Sequence, residues 1–388
     1  MLVCVPEGRH NMKQTYVFSA PGRTEIGGNH TDHQHGCVLA AAVDLETVAK
    51  VTLNGTDCIV VQSEGYPLVA VDLADLSVHE EEKNTTAALV RGVASAFAKR
   101  GASLQGFDAE IRSDVLPGSG LSSSAAFEVL MGTICNELFY NSRLTPMEVA
   151  QIGQYAENVY FGKPCGLMDQ MASAVGGTVF IDFEDTDAPM VLRMDFDLQK
   201  AGYALCIIDS GADHADLTDE YAAIPGELGQ ICQFFGKNFL RQIPEKEFYR
   251  GLPQLRGQVS DRAILRAMHV YQENHRVLQQ VQALKKNDVD IFLHLVKESG
   301  RSSWMYLQNI TPAGAILHQE VAVVLALCDH LLQGRGAYRV HGGGFAGTVQ
   351  AFVPLELLDE FCADMERVLG SGKCHVLNIR PQGGVRVQ

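Results

Sequence analysis

The sequence predicts a two-domain chain of mixed α/β type, and three observations carry that prediction. At 388 residues the chain is longer than one ordinary hydrophobic core supports. Segments with strand-like alternation and segments with apolar residues at helical spacing occur in both halves. Residues 184–189, Glu-Asp-Thr-Asp-Ala-Pro, interrupt them with a polar run that has no apolar period, so the boundary is placed there, giving domains 1–188 and 189–388.

Composition narrows the class further. With 46% hydrophobic and 20% charged residues the chain is globular rather than disordered. A net charge of −15 repels phosphate backbones and anionic lipid, so neither nucleic acid nor a membrane surface is expected as a partner. No apolar run is long enough to span a membrane, and Glu7, Arg9 and His10 stand where a signal peptide needs an unbroken apolar core. A cytoplasmic location is therefore expected. The ten cysteines are scattered singly with no Cys-x-x-Cys pair, and they read as small buried apolar residues rather than a disulfide or zinc framework.

In chain order, Tyr16 to Ala20 is a short apolar strand that runs into Pro21-Gly22. Arg23 to Gly36 is then a loop dense in polar side chains, flanked by a second strand at Val38 to Val43. His30, His33 and His35 with Asp32 match no zinc-ligand spacing, so a solvated or ligand-binding loop is preferred to a metal site. Val48 to Leu53 and Cys58 to Ser63 alternate around Asn54-Gly55, a strong turn dipeptide, and predict a hairpin. Thr86 to Lys99 is an amphipathic helix that stops at Gly101.

Residues 116–126, Leu-Pro-Gly-Ser-Gly-Leu-Ser-Ser-Ser-Ala-Ala, then stand between a strand (Phe107, Ala109, Ile111) and a helix (Phe127, Leu130, Met131, Ile134, Leu138). At such a junction free backbone N–H groups and the positive end of the helix dipole favour an anion, and Ser122, Ser123 and Ser124 add hydroxyls for phosphate oxygens or a magnesium ion. Alone, the segment reads as a Gly-Ser turn before an ordinary capped helix at least as well. It is neither a Walker A loop, since the Lys is missing, nor a dinucleotide fingerprint, since the third Gly is missing.

Pro146 to Phe161 is a further helix carrying Glu157. Asp169 stands beyond it in an apolar setting, where a helix cap is the plain alternative to a functional carboxylate. Val175 to Phe183 is a strand. In the second half, Tyr203 to Asp209 reads as a strand that gives way to polar residues up to Tyr221. Ser260 to Leu284, Ile291 to Met305 and Ala313 to Leu332 read as helices, and the run after Gly347 as a strand. The glycines at 342 to 344 leave room for another chain segment or a phosphate directly against the backbone.

Three of these segments, in this order, closely resemble the signature motifs of the GHMP small-molecule kinases, and the first resembles the galactokinase branch. Pro21-Gly22-Arg23 with Gly28, His30, Thr31 and Asp32 is similar to the sugar-binding motif, Gly118 to Ala125 to the phosphate loop, and Gly342 to Gly347 to the third motif. Cys165 to Gln170 resembles the segment holding the family's catalytic aspartate. The resemblance implies a two-domain α/β (α+β) GHMP-kinase-like architecture with the active site in the interdomain cleft, and ATP and Mg²⁺ as cofactors. It implies that Arg23 and Asp169 are catalytic, with Arg23 beside the transferred phosphoryl group and Asp169 at the sugar C1 hydroxyl. Asn29, His30, Thr31, Asp32, Gly166 and Tyr221 would hold the sugar. Gly118, Ser119, Gly120, Leu121, Ser122, Ser123 and Ser124 would surround the ATP phosphates, Ser63 would reach the adenine pocket, and Ser124 and Glu157 would bind the metal.

The expected reaction is phosphorylation of the anomeric hydroxyl of galactose, with a small sugar and ATP as the only partners. The sequence departs from the branch at Asn29, where a Glu is expected to accept from the sugar's C6 hydroxyl; Glu25, Gly27 and His33 depart as well. This raises the alternative of a kinase for a C6-modified galactose relative such as galacturonate. A second alternative is a sugar sensor without turnover, against which stand Ser124-Ala125, Arg23, Glu157 and Asp169, all present.

Overall fold

The computed structural model describes residues 14–115, 120–212 and 217–388. Its first sheet is built on two long strands, β1 (Thr15–Gly27) and β2 (Cys37–Leu53), paired antiparallel. β1 does not stop at Ala20 as the alternation suggests. Every residue from Phe18 to Gly27 is buried, so no polar face marks its continuation, and two register shifts, between Pro21 and Arg23 and between Glu25 and Gly27, let the chain pass a proline and stay in the sheet. The polar loop thereby shrinks to residues 28–36. The two strands expected over 38–43 and 48–53 are one, β2, whose first part pairs with β6 (Thr178–Asp182) and whose second part pairs with β5 (Phe107–Ser113).

The expected hairpin is not formed. Strand β3 (Cys58–Ser63) lies parallel to β5 and antiparallel to β4 (Val69–Asp72), so β5 fills the place beside β2 and the order is β12-β1-β2-β5-β3-β4, with β12 being Val385–Arg386. The Asn54-Gly55 turn exists, with the Thr56 N–H donating to Asn54 Oδ1 at 3.0 Å. Gly106 then enters the opening: the Asn54 N–H donates to its carbonyl (3.2 Å) and its own N–H donates to the Thr56 carbonyl (2.7 Å). A turn dipeptide specifies the bend, whereas the neighbour of β2 is decided by burial of Phe107, Ala109 and Ile111 beneath the helices.

Those helices are α1 (Thr86–Lys99), α2 (Ser123–Phe139), α3 (Pro146–Tyr155) and α4 (Met168–Val175), all on one face of the sheet. α3 starts at a capping box, Thr145 with Glu148, and Pro146 at its first position. It continues as a π-helical turn, Ala156–Phe161, which carries Glu157. Strand β7 (Met190–Met194), beyond position 188, pairs with β6 in this same sheet, and the C-terminal β12 returns to it.

The second sheet has the order β11-β8-β10-β9, from β8 (Tyr203–Asp209), β9 (Ala337–Val340), β10 (Thr348–Pro354) and β11 (Cys374–Leu377). Period-two alternation divides its faces. Leu205, Ile207 and Phe352 join a core with Val277 of α7 (Asp261–Lys285), Phe292 of α8 (Val289–Ser302) and Leu39 of β2. Cys206, Ile208 and Val349 face α9 (Glu320–Leu332) and α10 (Leu358–Leu369). A further helical core joins α5 (Thr218–Phe234), α6 (Glu245–Leu255) and α7. The helix expected from Ala313 begins only at Glu320: Gly314 has φ +76°, and Ile316 and Leu317 are 84% and 89% exposed, so their helical spacing meets water instead of a core. No helix among the described residues is long and apolar enough to cross a membrane.

Candidate active site

Arg23 follows the first register shift in β1 and is paired with Ala42 of β2, and its backbone N–H donates to the Leu121 carbonyl (2.9 Å), fastening the strand to the turn before α2. The guanidinium is buried and paired bidentately with Asp169: Nε to Oδ1 and NH2 to Oδ2, each 2.7 Å. It also donates to the Gly120 carbonyl. Asp169 stands in the first turn of α4, but both its oxygens are turned to Arg23 rather than capping the helix. Burial pushes its carboxyl up; the Arg23 charge and hydrogen bonds, with help from Ser122, outweigh burial and hold it below the usual aspartate range. α2 starts at Ser123 after Ser122, which has φ 58° and makes no side-chain cap, so the first N–H groups of the helix are left for an anion.

In the first turn of α2, the Ser124 hydroxyl donates to Glu157 Oε1 (3.3 Å), and Lys163 Nζ lies 3.4 Å from the same oxygen. Behind them Gln170 Nε2 donates to both Glu157 Oε2 and Glu128 Oε2, each at 2.9 Å. Glu128 is fully buried and its Oε1 has no hydrogen-bond partner among the described residues; burial first, then the neighbouring Glu157, raise its carboxyl well above the usual glutamate range. Three oxygen-bearing side chains thus converge beside the helix start, with an ammonium where a cation belongs. That donor set suits a hard cation with oxygen ligands.

The loop 28–36 is held from the other half of the chain. The Gly28 N–H donates to Glu273 Oε1 (3.0 Å), the Cys37 N–H to Asn274 Oδ1 (2.8 Å), and His269 Nε2 meets the Asn29 carbonyl (2.9 Å), all from α7. α7 approaches so closely that a Cβ on Gly27 would stand 2.1 Å from Gln280 Oε1. The third glycine run closes the site: Asn29 Nδ2 donates to the Gly342 carbonyl (2.6 Å), His30 Nε2 to that of Gly343 (3.0 Å) and the Tyr221 hydroxyl to that of Gly344 (2.8 Å). Asn309 also donates to Gly343. Chain segments occupy the space beside Gly343 and Gly344, where a Cβ would stand 2.8 Å from the Tyr221 ring and 2.0 Å from the Asn309 carbonyl, while the space beside Gly342 is open.

A cavity of about 200 Å³ remains between these parts, lined by Arg23, Glu25, Asn29, Asp32, Gly166 and Asp169 among others. A Cβ on Gly166 would stand 2.2 Å from Asp32 Oδ2, so a larger residue there would displace the Asp32 carboxylate. A larger cavity of about 590 Å³, lined by Arg193, Asp195 and Asn378, contains none of these groups.

Most of the sequence-predicted residues gather at the helix start or around the cavity. Arg23, Asp169, Gly120, Ser122, Ser124 and Glu157 meet at the helix start, with Leu121 and Ser123 in the same turn. Asn29, His30, Asp32 and Gly166 line the cavity. Thr31 is fully buried, its hydroxyl donating to the carbonyls of Gly28 (2.8 Å) and Cys37 (2.7 Å), and Tyr221 packs behind the glycine run. Ser63 ends β3 opposite Ile111, outside the cavity. Gly118 and Ser119 lie outside the described residues.

Asn29 lines the cavity, but its amide is engaged by protein groups rather than left free as its position in the motif suggests. Its amide donates to Gly342 and Glu25 and accepts from Asn309 (2.9 Å) and Ser303 (3.3 Å), which uses both donors and both acceptor positions. Glu25, in turn, is paired with the fully buried Arg339 at 2.5 Å. Sequence reasoning missed Glu128, Gln170, Lys163 and Arg339. For Glu128 a signal was present: a carboxylate one turn after Ser124 on an otherwise apolar helix face.

His30 gives a pH prediction. Burial pushes its imidazole down to about 4, against a hydrogen bond to Gly343 that favours the charged form. Between that value and the ordinary histidine range the unfolded chain binds the extra proton and the folded one does not, so stability is full above about pH 6.5 and declines as pH falls towards 4. Thermal unfolding over this window should show the decline, and His30→Asn, which tolerates the positive φ of 58°, should flatten part of it. An unchanged slope would reassign the effect to His269, which burial also pushes down.

A cleft between two α/β halves, with an anion-binding helix start beside a guanidinium–carboxylate pair, is the layout of a phosphoryl-transfer enzyme, and the family model for the GHMP kinases N terminal domain matches residues 88–177. The galactokinase galactose-binding signature matches residues 8–53. A galactokinase of Glaesserella parasuis serovar 5 (strain SH0165) is 33% identical over 357 residues, 89% of this chain and 87% of its own. One of Actinobacillus pleuropneumoniae is 32% identical over 95% of this chain and 90% of its own. In fold, the chain is similar to the Lactococcus lactis galactokinase complexed with galactose (TM-score 0.81, 23% identity, 98% and 97% of the two chains) and to a mevalonate kinase (TM-score 0.67, 13% identity, 94% and 99%). The chain belongs to the galactokinase family of GHMP kinases.

Proposed function

We propose that this protein transfers the terminal phosphoryl group of ATP to the anomeric hydroxyl of galactose, giving galactose 1-phosphate and ADP. The observation that carries this reading is the Arg23–Asp169 pair, which stands at one end of a sugar-sized cavity and against the start of α2. Residues 118–124 surround the ATP phosphates, and Ser63 lies towards the base. Arg23 meets the negative charge that spreads over the transferred group. Asp169, held ionised by Arg23, accepts a hydrogen bond from the C1 hydroxyl and points it at the phosphorus. Its depressed pKa makes it a modest base, which suffices where bond breaking runs ahead of proton removal.

Asp32 and Gly166 hold the sugar, while Asn29, His30, Thr31 and Tyr221 shape the wall around it. Ser124 and Glu157 are the residues that would hold Mg²⁺, with Glu128 behind them. Bound there, the ion neutralises charge on the phosphate oxygens. No protein partner is required by this chemistry.

The alternative of a C6-modified substrate rested on Asn29, and an amide spent on protein groups offers nothing to C6. The test is coupled ADP release over galactose, 6-deoxygalactose and galacturonate, with and without Mg²⁺. Galactose should be the best substrate, and chelation of Mg²⁺ should abolish turnover. Folded protein that releases no ADP with galactose and Mg-ATP would overturn the reading. Binding of both ligands without product would favour a sensor.

A further inference from the structure

Far apart in sequence, Cys206 of β8, Cys362 of α10 and Cys374 of β11 bring their sulfurs within 4.8 Å of one another, with 3.5 Å between those of Cys362 and Cys374. Among the described residues this is the one gathering of three or more His, Cys, Asp or Glu side chains whose ligand atoms lie this close together. It lies in the core between the second sheet and helices α9 and α10, and the active-site chemistry uses none of it. The scattered spacing that spoke against a metal site in the sequence is therefore misleading: sheet pairing sets Cys374 diagonally across from Cys206 on one face, and α10 lays Cys362 over both.

We propose that these three cysteines form a binding site for a thiophilic d¹⁰ cation of the Zn²⁺ type. A zinc–thiolate bond of about 2.3 Å in tetrahedral geometry places sulfurs roughly 3.8 Å apart, which lies between the shortest separation and the upper bound here, so each sulfur needs to shift by less than about 1 Å. Thiolate ligands select such cations over hard ones. Binding replaces three S–H bonds by three S–metal bonds and releases three protons to solvent, leaving one net negative charge with Zn²⁺ but two with Cu⁺. In an apolar core the smaller residual charge is the less costly, which favours the divalent ion. Cys206 is fully buried while Cys362 and Cys374 are half-buried, so ion and water enter from their side and water completes the fourth position. The site would staple α10 to the edge of the second sheet.

Cd²⁺ is the probe, titrated into the full-length, reduced, metal-free protein. A thiolate-to-cadmium absorption band should saturate at one ion per chain with the release of three protons, Zn²⁺ should bleach it, and the melting temperature should rise. Cys362→Ser and Cys374→Ser should each weaken Cd²⁺ binding by at least about 100-fold, more than the loss of an outer-shell partner costs. Cys58→Ser, on β3, should leave it unchanged. Sugar-dependent ADP release and circular dichroism verify that each variant is folded. A band that survives both Cys362→Ser and Cys374→Ser, a protein that takes up no Cd²⁺, or isolation of Cys362 and Cys374 as a disulfide that excludes the ion would overturn the proposal.

Discussion

Asp169→Asn is expected to fold, to bind galactose about as well as the native protein, and to turn over about two to four decades more slowly, the range for loss of a positioned proton acceptor. Shape is conserved by the exchange but charge is not. An amide cannot accept both guanidinium hydrogen bonds, so Arg23 is released from its bidentate hold while the C1 hydroxyl loses its acceptor. Stability should fall by only about 1–2 kcal/mol, because the Asp169 side chain is 29% exposed and water can reach the freed groups. Pre-steady-state ADP formation, measured beside equilibrium sugar binding, separates the two roles of the carboxylate. A rate within a few-fold of native, with a lowered melting temperature, would make Asp169 a tie between α4 and β1 and nothing more.

The second large effect is on folding. Asn29→Glu, the exchange that restores the residue usual in this motif, should destabilise the protein by about 3–5 kcal/mol, the scale of an uncompensated buried charge. Asn29 is fully buried, and its Nδ2 donates to both the Gly342 carbonyl and the Glu25 carboxylate. A glutamate has no N–H for either, and its own carboxylate would face the first carboxylate, which already absorbs the one guanidinium of Arg339. Burial and repulsion raise the new carboxyl's folded pKa above its unfolded value. The deficit is therefore largest at neutral pH and shrinks as pH falls towards the ordinary glutamate range, where both states carry the proton. Urea melts at two pH values would show this. Full stability at neutral pH would mean that the Glu25–Arg339 pair moves aside and that the head group of residue 29 turns freely to the cavity.

Much of the candidate site was legible because its chemistry is written locally. The glycine-serine turn, the helix start at Ser123, Glu157 near the end of its helix and Asp169 in an apolar setting are each short-range statements, and the structure brings these residues together. Arg23 was found by motif, yet the register shifts on either side of it were not, since a strand buried on both faces carries no alternation to read. Gln170 was read only as the end of the aspartate segment, and Glu128 drew no reading, although a fully buried carboxylate is a rare event.

By itself, then, the sequence determined the strongly periodic elements, such as the helices over 86–99 and 261–285 and the strand over 203–209, and where the anion-binding turn sits, because periodicity, capping and turn chemistry act over a few neighbours. Tertiary structure alone decided that β5 and not β3 lies beside β2, that Asn29 faces inward to Glu25 and Asn309, and that three solitary cysteines meet on one face of the second sheet. The reason is the same in each case. Strand order and side-chain direction at these positions are set by burial against residues tens to hundreds of positions away, and no local pattern records which of them will be there.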